Sequence, residues 1–198
     1  MQTRIKAIYP FFDQFKIVEP FGYASKGIPG LDIVINGKSG KMLKEKFIFL
    51  SRCAGLRFPL KHFVLCLEGE ISEESLTWIE LPLYILYLSL GELLPIAHLE
   101  DCLCSGRIYA SGRFASLYYS DSLLEFLEAE FPDDKILVSR LLNKKSGNYQ
   151  FPLEVLFEQI SYFTFAQEKP TKLLLRSSAK KLIGDQPSSF GLRPIELV

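Results

Sequence analysis

The chain has 198 residues, enough for one domain with a sizeable core, and its 23 basic residues balance 23 acidic ones. That balance excludes a global charge drawing the molecule to nucleic acid or an anionic membrane. The start, M-Q-T-R-I-K-A-I-Y-P, has no sustained apolar core and does not read as a signal peptide. Cys53, Cys66, Cys102 and Cys104 are unevenly placed, which predicts reduced thiols and a cytoplasmic protein.

Ile5 to Phe12 and Phe15 to Tyr23 are rich in β-branched and aromatic residues, with Asp13-Gln14 between them. They predict a hairpin. Lys26-Gly27-Ile28-Pro29-Gly30 is a turn, and Leu31 to Ile35 a short buried strand. Met42, Leu43, Phe47, Leu50 and Ala54 predict a helix over Lys38 to Ala54, stopped by Gly55. A strand follows at His62 to Leu67, then an acidic loop, Glu68 to Glu74.

Trp78 to Leu94 is the stretch the rest is built around. Glu80 and Pro82 suit a first helical turn, where a carboxylate meets the dipole and proline lacks no needed N–H. Leu83, Tyr84, Ile85, Leu86, Tyr87, Leu88 and Leu90 follow with almost no polar break, and Gly91 is a stop. A helix apolar on every side must be buried on every side. It is shorter than the roughly 20 apolar residues a bilayer requires.

Leu103 to Ala110 and Phe114 to Tyr119 read as strands joined at Ser111-Gly112-Arg113. Ser120 to Glu130 is a helix capped by Ser120 or Asp121, with Leu123, Leu124 and Leu127 buried. Lys135 to Leu141 is a strand and Asn143 to Asn148 a polar turn. Pro152 to Phe165, with Leu153, Leu156, Phe157, Ile160 and Phe163, predicts a last helix. The mixture implies an α+β domain, a mixed sheet packed with helices, over residues 1–165. Residues 166–198 form a basic C-terminal extension.

Each candidate site has a bland counterpart. Gly37-Lys38-Ser39 lies where a phosphate loop belongs, but Asp32 stands at the first glycine position, so these residues start a helix instead. Ser75 could serve a peptidase only with a lysine beside it, and Leu103 to Asp134 contains none. His98, Cys102 and Cys104 lack a second ligand pair, which favours buried thiols over zinc. Glu68, Glu70, Glu73 and Glu74 read as a solvated loop rather than a cation site. No catalytic residue, cofactor or metal is therefore expected. Lys169, Lys172, Arg176, Lys180 and Lys181 make the best basic patch for phosphate contacts to nucleic acid, but aromatic interleaving is thin and a solvated tail is the favoured reading.

Four runs, in order, resemble one family: Gly27 to Val34, Ala54 to Lys61, Glu80 to Tyr84, and Gly106 to Arg113. They are similar to motifs of the N-terminal domain of the ComM (YifB) proteins, the magnesium-chelatase-subunit-like AAA+ ATPases. The resemblance implies a Lon-protease-like, ribosomal protein S5 domain 2-like fold. No G-x-x-x-x-G-K-[ST] occurs, and Arg107 stands where the family carries an acid. The resemblance then implies a non-catalytic, stand-alone interaction or assembly module. Its partner would be a second copy, an AAA+ ATPase or the nucleic acid such an ATPase processes, with no membrane contact. The alternatives are a nucleic-acid-binding protein acting through the extension, and a divergent Ser-Lys peptidase.

Overall fold

A computed structural model describes residues 2–11, 14–36, 38–69, 71–94, 96–139 and 148–167. The chain opens with β1 (Gln2–Arg4), β2 (Lys6–Phe11), β3 (Gln14–Val18) and β4 (Phe21–Ser25). Next come β5 (Gly30–Ile35), β6 (Lys38–Ser39), α1 (Lys41–Cys53) and β7 (His62–Leu67). Helix α2 spans Glu73–Leu90, and a 3-10 turn occupies Leu99–Asp101. β8 (Cys102–Cys104), β9 (Gly106–Ile108), β10 (Arg113–Ser116) and α3 (Asp121–Glu130) follow. β11 (Lys135–Val138), β12 (Gln150–Pro152), α4 (Leu153–Leu156) and β13 (Thr164–Gln167) complete the described part.

The strands form three sheets, ordered β1-β4-β7-β5-β6, β12-β11-β8-β2-β3 and β13-β10-β9. Each mixes parallel and antiparallel pairs, so the class is α+β. Every residue from Trp78 to Leu90 is buried. Helix α2 touches β1, β2 and β4, and also β7, β9 and β10, drawing on all three sheets. All-round apolarity leaves the helix no solvent face, and the sheets close around it.

Its start lies earlier than Glu80 and Pro82 suggest. Ser72 is the N-cap, accepting from the Ser75 N–H at 3.1 Å, and Glu73 and Glu74 occupy the first turn. These two glutamates therefore belong to the helix, not to an acidic loop. Pro82 sits inside the helix, where its missing N–H frees the Trp78 carbonyl. The Ser105 hydroxyl, fully buried, donates to that carbonyl at 3.4 Å. Pro82 is tolerated because a strand break supplies the donor the helix lacks.

That break also splits a predicted strand. Leu103 to Ala110 divides at Ser105, β8 joining β11 and β2 while β9 turns to β10. The hairpin of β2 and β3 is present, with Phe11 opposite Gln14. Its second arm ends early, because Pro20 cannot extend a ladder and the chain changes sheet to form β4. The Ile5 N–H donates to the Pro20 carbonyl at 3.1 Å where both arms cross over.

Lys38-Ser39 is a strand opposite Val34 and Ile35, not a helix start, and α1 begins at Lys41. Gly55 ends α1 at φ +66°, the left-handed position where a side chain is strained. At the end of α2 the left-handed residue is Glu92, at φ +60°, and Gly91 meets a different constraint. Its own φ is ordinary, but an added Cβ would lie 2.7 Å from the Phe58 ring, which stacks on Tyr87 at 4.2 Å. Helix α3 matches its expectation: Ser120 caps it and Leu123, Leu124 and Leu127 are buried.

The predicted helix over Pro152 to Phe165 needs correction. Only Leu153–Leu156 is helical, and Thr164–Gln167 pairs in parallel with β10. The Thr164 N–H donates to the Gly112 carbonyl at 3.1 Å. Phe163 stacks on Phe114 at 4.7 Å and meets Tyr84 edge-on at 5.8 Å. An open sheet edge and an aromatic cluster at α2 outweigh helical spacing in this segment. The Lys135 to Leu141 strand is described to Val138, and most of the predicted turn at Asn143 to Asn148 lies outside the described residues.

Candidate functional site

The basic patch of Lys169, Lys172, Arg176, Lys180 and Lys181 lies outside the described residues, as do Gly37 and Glu70. The remaining sequence candidates have structural duties. Ser75 accepts from the Ser72 hydroxyl at 2.9 Å and donates to the Pro10 carbonyl at 3.1 Å, which fastens the start of α2 to β2. His98 holds φ +59° and faces Glu100 at 3.6 Å. The Cys102 thiol donates to the His98 carbonyl at 3.7 Å, while Cys104 is fully buried. Burial pushes the Cys102 thiol up to about 11 and raises Cys104 too, so both are neutral at ordinary pH. Among the described residues no three His, Cys, Asp or Glu side chains are arranged to hold a metal. No helix among them is long and apolar enough to cross a membrane.

Two polar centres emerge that sequence reasoning missed. In the first, Lys46 of α1 reaches the buried Glu80 carboxylate, donating to its oxygens at 2.9 and 2.8 Å. The Ile108 N–H of β9 donates to Glu80 Oε2 at 3.1 Å. Glu80 thus satisfies the free edge of β9 from within the core, and Arg107 lies over the Trp78 ring at 4.3 Å beside it.

The second centre stands at one end of the β1-β4-β7-β5-β6 sheet. Parallel pairing puts Gly30 opposite His62, and the Gly30 N–H donates to the Lys61 carbonyl at 3.2 Å. The turn before β5 and the loop before β7 are therefore side by side. His62 Nδ1 lies 3.2 Å from the Ile28 carbonyl. Its Nε2 lies 3.1 Å from Asp32, which also accepts from Lys44 at 3.0 Å. The Lys44 hydrogen bond leads in holding the Asp32 carboxyl below its ordinary value. Both ring nitrogens of His62 are engaged, so this histidine braces the loops.

On that brace two large aliphatic side chains stand in solvent: Ile28 is 87% exposed and Leu60 84%. Single exposed aliphatics are ordinary, but here two stand on adjoining loops pinned to each other. The sequence holds one hint, an aliphatic residue beside proline in each loop, Ile28-Pro29 and Pro59-Leu60. No family model matches the sequence, and no curated protein matches it.

Proposed function

We propose that the domain is a non-catalytic interaction or assembly module that engages a protein partner through Ile28 and Leu60. The observation carrying this reading is their near-complete exposure on two loops fixed by the Gly30–Lys61 hydrogen bond and by His62. Leaving such side chains in water forfeits roughly 1.5–3 kcal/mol each, which a partner's surface would recover.

The ComM-type resemblance supports the same reading. Its first two runs supply the two loops that meet at this end. Its last two meet through Glu80 and Ile108. A Lon-like, ribosomal protein S5 domain 2-like fold, with a second copy or an AAA+ ATPase as partner, is the form we give the proposal. Affinity capture from native extract, with wild type and an Ile28→Asp, Leu60→Asp double variant, tests it. A defined partner is recovered with wild type and lost with the variant, whose melting temperature is unchanged. Equal recovery would refute the reading.

A further inference from the structure

A cavity of about 350 Å³ opens on the β12-β11-β8 part of a different sheet, so a ligand held there is independent of the proposed protein contact. Ile96, Leu137, Phe151 and Leu156 give it an apolar wall. Lys135 and Leu137 lie two apart on β11 and share a face, with Cys102 beside Lys135 and Phe151 beside Leu137. Lys135, Tyr149 and Cys102 are its polar lining.

The charge on Lys135 is the informative feature. Lys6, Lys44, Lys46 and Lys61 each hold a carboxylate within 3.1 Å. Lys135 is half-buried, and among the described residues no carboxylate pairs with it. Three acids act on the adjacent Cys102 thiol: Asp101, Asp134 and Glu100. Asp134 is bound to Lys6 at 2.7 Å, Glu100 faces His98, and Asp101 is exposed; none lines the cavity. An ammonium among aliphatic and aromatic walls, with no counter-ion among the described residues, favours an anion carrying an apolar chain. The volume falls within the usual range of ligand pockets, roughly 300–1,000 Å³. At about 30 Å³ per water-sized group it takes about a dozen heavy atoms.

We propose that this cavity binds a small apolar monocarboxylate, its chain against Leu137, Phe151 and Leu156 and its head group on Lys135. One ammonium and one phenol suit a monoanion better than a phosphate, which calls for more donors.

Calorimetric titration of the full chain with octanoate, octanol and octylammonium tests the proposal. Octanoate binds saturably and at least about fivefold tighter than octanol, with octylammonium weakest. Lys135→Met removes the preference for octanoate yet still takes octanol, which certifies an intact cavity, and Lys135→Arg keeps the preference. The proposal falls if wild type shows no saturable octanoate binding or binds octanoate and octanol equally. It also falls if Lys135→Met retains the preference.

Discussion

Glu80 is the charged member of the otherwise uncharged stretch from Trp78 to Leu90. Lys46 and the Ile108 N–H together hold its carboxylate. Removing only the cation leaves a buried charge half satisfied. Lys46→Met is therefore expected to cost about 1–3 kcal/mol in urea unfolding, the Lys46 side chain being partly exposed. Asp32 gives a prediction in pH. Its folded-state value lies below its ordinary 3.8, so it binds protons less readily folded than unfolded. The stability it adds is present above the unfolded value and disappears as pH falls through the folded one. Asp32→Asn should be less stable than wild type near neutral pH, with the gap closing in acid. The gap should also shrink in salt, because the Asp32 side chain is about half exposed. A difference that persists unchanged into acid would reject this assignment.

At the scale of the element, α2 combines two features that conflict locally and agree globally. Pro82 removes a helical donor and Ser105 replaces it. Ser105→Ala should cost about 1–3 kcal/mol by stranding the Trp78 carbonyl. In a Pro82→Ala background the restored N–H serves that carbonyl, and the same change should be nearly neutral. A double-mutant cycle with no coupling would disprove the compensation. Leu86 is fully buried, so Leu86→Ala should cost about 2–5 kcal/mol by opening a cavity. A loss under about half of one kcal/mol would be incompatible with its place in the core.

At the scale of the whole molecule, what sequence revealed was what neighbours along the chain decide. Helix α3 was legible to its cap because Ser120 and the leucine stripe are local signals. Strand β7 was legible at both ends, and the burial of α2 followed from its apolar circumference. The first turn of α2 was misplaced because Glu80 and Pro82 mimic one, while the donor that accommodates Pro82 comes from Ser105, far along the chain. Segment Thr164–Gln167 became a strand only because β10 offered an edge. The Ile28–Leu60 surface depends on parallel pairing of β5 with β7, and the Lys135 cavity on strands brought together from separate regions. The cavity has no local motif to announce it, and the surface only an aliphatic residue beside proline in each loop.

Three sheets closing around one helix make α2 the last element to be released on unfolding. Native-state hydrogen exchange measures this directly, residue by residue. The amides of Leu83 to Leu90 should exchange only through global unfolding, with free energies equal to that from denaturant melts. Exchange of those amides at markedly lower free energy than the strands around them would show that the helix opens on its own, and would contradict the account.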